Sequence, residues 1–231
     1  LPYVGLRARV LGRLGTARHP AAELDALVQA HLGTLSFFSE VHEAAGSDRG
    51  AFAPKFVASA AALEAEVEHA ASLVSEILLE TDFTDTAKMA DMMLQKRVAM
   101  EQAFATAGHS IASQRAASYY LPAAQVRQGL GGVDFYWFLR DALDGFDGKA
   151  AAITAKLASL AARLFTDRGC VLSFAGSAES LERYFAAGPC LGMGAGAANA
   201  EAAAANAEGA DAPAPGGAPA LEVPAPVDRR E

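Results

Sequence analysis

The sequence predicts an α+β fold, an antiparallel sheet with helices packed on one face. Three observations carry that reading. Several runs repeat apolar residues every three to four positions, as amphipathic helices do. Two runs centred near residues 38 and 57 are rich in β-formers, and a turn-rich connector separates them. Hydrophobic residues make up 52% of the 231, enough to bury a core.

The elements follow in order. "PYVGLRARVLGRLGT" (2–16) places Val4, Leu6, Val10, Leu11 and Leu14 at helical spacing, with Gly15 as the expected stop. "HPAAELDALVQAHLG" (19–33) opens with Pro20 and closes with Gly33, the usual helix punctuation. "TLSFFSEVHE" (34–43) and "FAPKFVASAAA" (52–62) read as strands flanking the connector 44–50, hence an antiparallel hairpin. In 63–81, Leu63, Val67, Ala70, Val74, Ile77 and Leu78 form one helical stripe. "TDFTD" (81–85) breaks it and offers Asp82, Thr84 and Asp85 as N-caps for a long helix from Thr86 to about Ser118. "GLGG" (129–132) reads as a helix–helix turn, followed by helix from about 134 to 165 with a break near 144–148. "CVLSFAG" (170–176) reads as a short buried strand, and 177–186 as a helix capped by Ser177 or Ser180. The stretch 194–220 is Ala/Gly/Pro-rich without large apolar residues, so it cannot offset its ordering entropy. The expected division is an ordered α+β domain at 1–186 and a disordered linker and lead-in at 187–231.

Charge and composition narrow the partners. A net charge of −8 and a pI near 5.2, with no concentrated basic field, disfavour nucleic acid and anionic membranes. No run is apolar and long enough to predict a membrane span. The chain opens at Leu1 without a signal-like segment, so it reads as starting inside a longer protein. Two cysteines, Cys170 and Cys190, make no disulfide framework, which favours a reducing cytoplasm.

Candidate chemistry is thin. No two of the five histidines stand at i and i+4, so the zinc-peptidase helix motifs are absent. "EVEH" (66–69) is a single E-x-x-H, and "EVHE" (40–43) pairs Glu40 with His42; each lacks a further ligand and reads as solvated surface. "GLGGVDF" (129–135) has neither the lysine nor the preceding strand of a phosphate loop. No G-x-S-x-G occurs, and Cys170 lies in an apolar run that disfavours a thiolate. "FYWFL" (135–139) reads as core packing. The most polar stretch is "AGHSIASQRAASYYLPAA" (107–124). As a helix it puts His109 and Tyr120 on one stripe, Arg115 and Tyr119 on another, and Gly108, Ala112 and Ala116 in a small-residue row suited to close packing. Arg115 is permanently charged and suited to hold a carboxylate or carbonyl.

The runs "LPYVGLRARVLGRLGTARHPAAELDALVQAHLGTLSF", "LLETDFTDTAKM" and "AGHSIASQRAASYYLPAAQVRQGLGGVDFYWFL", in this order and spacing, resemble the presequence-protease-like branch of the insulinase-type (pitrilysin-like) zinc metallopeptidases. The resemblance covers most of 1–186 and is most specific at 106–139; "VPAPVDRRE" resembles the family's lead-in to a further sheet. It differs in reading Gly33–Thr34 where the family usually has Gly-Gly, and in lacking the strand that precedes the first helix, which would leave a sheet edge exposed.

The resemblance implies a long chain of two halves around a chamber for unfolded peptides. Zinc would be held in the first domain by an H-x-x-E-H helix and a distal glutamate. This chain would be the third domain, in the non-catalytic half, with the catalytic half of the same polypeptide as its partner. No catalytic or metal residue carries over to it. Its expected role is chamber wall and contact between halves, with His109, Arg115, Tyr119 and Tyr120 as candidate contact residues. The chain alone is expected to show no peptidase activity, to bind no stoichiometric zinc, and to contain no cofactor, zinc belonging to the parent protein. The alternative expectation is a scaffold or pseudo-peptidase subunit of the same fold.

Overall fold

The computed structural model describes residues 1–43, 51–165 and 170–187. The expected connector at 44–50 and the expected linker from 188 onward lie outside those residues. The described elements are α1 (Pro2–Val10), α2 (Ala21–His31), β1 (Thr34–Glu43), β2 (Phe52–Ala61), a 3₁₀ turn (Glu64–Glu66), α3 (Val67–Glu80), α4 (Thr86–Ala117), α5 (Pro122–Gly131), α6 (Val133–Leu143), α7 (Phe146–Leu164) and α8 (Ala178–Ala186). The fold is α+β, as expected.

The hairpin is antiparallel, in register from Thr34 opposite Ala61 to Glu43 opposite Phe52. In β1 the alternate residues Leu35, Phe37, Ser39 and Val41 are half-buried while their neighbours face outward. That period-two pattern is the mark of a sheet covered on one face. The cover is α1 and α5, which pack on β1. Among the described residues no third strand pairs with the hairpin, and both its edges stand open there.

The core gathers Leu6 and Val10 of α1, Leu24 of α2, Ile77 of α3, Met89 and Met93 of α4, Phe135 and Leu139 of α6, and Ile153 and Leu157 of α7. Arg7 runs through it at 1% exposure. Its guanidinium donates to the Leu157 carbonyl at 2.5 Å and the Leu78 carbonyl at 2.8 Å. It also lies over the rings of Phe83 and Phe165 at 5.0 and 5.2 Å. Leu78 belongs to the last turn of α3, whose carbonyls have no partner within the helix. Arg7 therefore caps α3 from inside the protein.

Local signals explain most boundaries. Asp85 caps α4, accepting from the Lys88 amide at 3.0 Å, while Asp82 accepts from the Thr84 amide at 2.9 Å. Ser177 caps α8, accepting from the Ser180 amide at 3.1 Å. The buried Gln128 side chain accepts from the Val133 amide at 2.8 Å and so starts α6 across the expected Gly131–Gly132 turn. Gly145, at φ +64, makes the break between α6 and α7 where one was expected.

Four expectations are corrected. The first helix stops at Val10, not Gly15: Gly12 takes φ +72, and Leu11 and Leu14 keep the helical spacing but are buried in a turn. Leu63 is 78% exposed and leaves the α3 stripe, because the chain enters that helix through the 3₁₀ turn. The stretch 170–176 is not a strand. Leu172 and Phe174 line a groove shared with Val67, Val74 and Tyr184, and this side-chain packing seats the segment.

The fourth correction is the small-residue row. A Cβ built on Gly108 would meet nothing within 4 Å, and Ala112 and Ala116 are exposed. The long helix bends at Ala107 (φ −128, ψ 27) and packs on α5 and α6 with its other faces, so that row meets no partner among the described residues. The close approach is at Gly5 instead, where a methyl would overlap the Leu130 carbonyl of α5.

Candidate functional site

Two surfaces gather polar or aromatic groups. The first is the corner between α4 and α5. Helix α4 ends at Ala117, and Pro122 opens α5 a few residues later with its fixed φ. In the intervening turn Tyr119 is 53% and Tyr120 83% exposed, with Leu121 beside them also exposed. Arg115 reaches Asp134 of α6 at 2.9 Å and lies 5.6 Å from the Tyr119 ring. Of the carboxylate or carbonyl that Arg115 is suited to hold, the structure supplies the Asp134 carboxylate, which pins the corner to α6.

The structure brings Arg115 and Tyr119 together and leaves Tyr120 projecting. His109 stands exposed on the helix, about two turns before the corner, and does not join them. The aromatic run 135–139 behaves as packing: Phe135 and Leu139 are buried, Phe138 meets Tyr3 edge-on at 4.9 Å, and Tyr136 meets Phe104 at 5.0 Å. Tyr136 also donates to Glu101 at 3.1 Å. Burial, that bond and the carboxylate's charge hold its phenol above the ordinary value.

The second surface is a cluster that sequence spacing alone did not assemble. His31 is the last residue of α2, Glu66 ends the 3₁₀ turn, and His69 lies in the first turn of α3. One Glu66 oxygen, Oε2, meets Nδ1 of His31 at 2.7 Å and Nδ1 of His69 at 2.9 Å. The two imidazoles stack at 3.8 Å, 8° from parallel. The hydrogen bond from His31, with the nearby imidazole charges, holds the Glu66 carboxyl below its ordinary pKa. The E-x-x-H at 66–69 was the visible signal; His31, brought in by the hairpin between them, was not.

A separate network is structural. Glu76, buried in α3, accepts from Thr16 and pairs with His19 Nδ1 at 2.8 Å, fixing the segment after α1 against α3. His42 pairs with Glu40 at 3.0 Å on the exposed face of the hairpin.

Fold and surface together define a helix-covered α+β module with an exposed aromatic corner between α4 and α5. The family model described as "Peptidase M-16-C associated" matches residues 1–141. The chain belongs to that family, and it is a presequence-protease-like fragment within the insulinase-type group. It is 27% identical over 184 residues to Protein HypA of Clostridium perfringens, covering 80% of this chain and 19% of that one. It is 23% identical over 181 residues to a chloroplastic/mitochondrial presequence protease of Arabidopsis thaliana, covering 78% of this chain and 17% of that one. With the mitochondrial presequence protease of Yarrowia lipolytica it shares 30% identity over 140 residues, 61% of this chain and 14% of that one. The chain thus spans less than a fifth of the length of these relatives.

Proposed function

We propose that this chain is the non-catalytic third-domain segment of a zinc metalloendopeptidase that degrades unfolded peptides. In this reading 1–186 is the domain and 187–231 the linker and lead-in to the next. The segment supplies chamber wall and contacts to the catalytic half of the same polypeptide. The observation that carries the reading is the family match over 1–141, together with alignment to a small share of each presequence protease. The sequence has no H-x-x-E-H, so in this reading the catalytic zinc is held by another part of the polypeptide.

Support for a contact role comes from the α4–α5 corner. Tyr119, Tyr120 and Leu121 form an exposed aromatic and apolar patch on an element pinned by the Arg115–Asp134 pair. Exposed aromatics on a rigid mount are typical interface anchors. His109, on the same helix, extends that surface with a polar group.

We place the protein in a reducing compartment, the cytoplasm by composition; three relatives carry mitochondrial or chloroplastic names. Among the described residues no helix is long and apolar enough to cross a membrane.

The test is co-expression with a matching catalytic half. Peptide hydrolysis that needs both parts and is abolished by a chelator supports the reading, with the chain alone inactive. Hydrolysis by the catalytic half at the same rate without this chain would sink the chamber role. A stable but inactive pair would favour the scaffold alternative.

A further inference from the structure

We propose that His31, Glu66 and His69 form a binding site for one divalent transition-metal ion, zinc being the natural occupant. The site is separate from the catalytic zinc of the proposed enzyme, and it departs from the expectation that this chain binds no stoichiometric zinc. Two imidazole nitrogens and a carboxylate oxygen are the donor set that borderline metals favour, whereas magnesium and calcium prefer oxygen alone. Here one atom from each residue lies within 4.8 Å of the other two. Glu66 and His69 stand at i and i+3 where the 3₁₀ turn runs into α3, and His31 is brought to them from α2 by the tertiary fold.

The mounts are firm while the donors stay reachable. Leu32 follows His31 and is buried, and Val67 and Ala70 flank the other two ligands and are buried. Gly33 continues the anchor, its amide donating to the Ala61 carbonyl at 2.8 Å. Rigid mounting of this kind is what a metal site needs. The ligand side chains themselves are partly exposed, His69 the most, so an ion can enter from solvent.

Binding requires a defined rearrangement. Ligand atoms on a tetrahedral zinc stand about 3.3 Å apart at bond lengths near 2 Å, so the 2.7 and 2.9 Å contacts must open slightly. Parallel rings carry lone pairs that never meet, so one imidazole turns about its Cβ–Cγ bond to aim at the ion. His69 is the more exposed and the freer to turn. The ion then replaces the hydrogen bonds to Glu66 and ties the end of α2 to the start of α3. Three protein ligands leave one coordination position for solvent.

Calorimetry and thermal unfolding of the full 231-residue chain with zinc chloride test this. Expected is one zinc per chain with micromolar affinity, about 5–10 °C of added Tm at a hundredfold excess over the dissociation constant, and no effect of magnesium. His31→Ala, His69→Ala and Glu66→Gln should each weaken binding at least about tenfold and remove the Tm gain. His42→Ala, on the Glu40 pair, should bind as the parent does. Circular dichroism checks that each variant folds, and His31→Gln replaces His31→Ala if the latter does not. No binding at about 100 μM zinc overturns the proposal. So does binding that survives the ligand substitutions, or magnesium competing equally; the cluster is then a histidine–carboxylate hydrogen-bond group.

Discussion

Arg7 shows how much of this fold rests on a single polar side chain in an apolar core. Burial pulls its pKa down to about 10, which still leaves it charged at neutral pH. The charge is tolerated because two carbonyls and two aromatic rings surround it. Because the folded pKa lies below the unfolded one, the unfolded chain binds more protons than the folded one at alkaline pH, from about 10 upward. Stability from this group would rise with pH only in that window, and it is flat around neutrality. Arg7→Ala leaves a cavity and an uncapped Leu78 carbonyl, and should cost about 3–5 kcal/mol. Arg7→Met refills the volume without the hydrogen bonds and should cost clearly less. Urea midpoints of the two variants separate packing from capping; equal losses would show that capping dominates. Nothing in "GLRARV" marks Arg7 as buried, since Arg9 two residues later is exposed.

At the scale of elements, the close approach expected at Gly108 falls at Gly5 instead. Gly108 lies in the small-residue row and has nothing near it, whereas Gly5 sits against the Leu130 backbone. Gly108→Ala should stabilise by about 0.5–1 kcal/mol, since a helical glycine is replaced in open space. Gly5→Ala must push α1 from α5 and should destabilise by about 1–3 kcal/mol. Thermal melts of both variants check the opposed signs. The hairpin, α2 and the α6–α7 break were legible because their signals are local: alternation, proline and glycine punctuation, and one positive φ. What stayed hidden depends on where a partner lies. Spacing shows that 108, 112 and 116 share a face, but not that nothing packs there. It shows a β-like run at 170–176, but not that Leu172 and Phe174 seat it by side chains instead of pairing. The His31–Glu66–His69 cluster belongs to the same class: two ligands share a turn, and the third arrives across a whole hairpin.

For the whole molecule, the question is which surface meets the catalytic half in the proposed enzyme. The α4–α5 corner is rigid where it attaches and greasy where it ends. Tyr119 and Tyr120 are exposed, and the Tyr119 ring lies against the Arg115 guanidinium, so their contribution to the stability of this chain is small. A double substitution, Tyr119→Ala with Tyr120→Ala, should therefore change the unfolding free energy by no more than about 1 kcal/mol. In a reconstituted pair the same substitution should weaken association, because exposed aromatics in a contact carry about 2 kcal/mol or more each when they are anchors. Hydrolysis at low concentration should then fall by about tenfold or more and recover as the two parts are raised together, since chemistry at the zinc is untouched. A loss that no concentration restores would place the tyrosines at the peptide rather than at the contact. Full activity at every concentration would remove the corner from both roles. Arg115→Ala separates the mount from the anchor: freeing the corner from Asp134 should weaken association less than losing the tyrosines, because the partly exposed ion pair is worth about 1 kcal/mol or less.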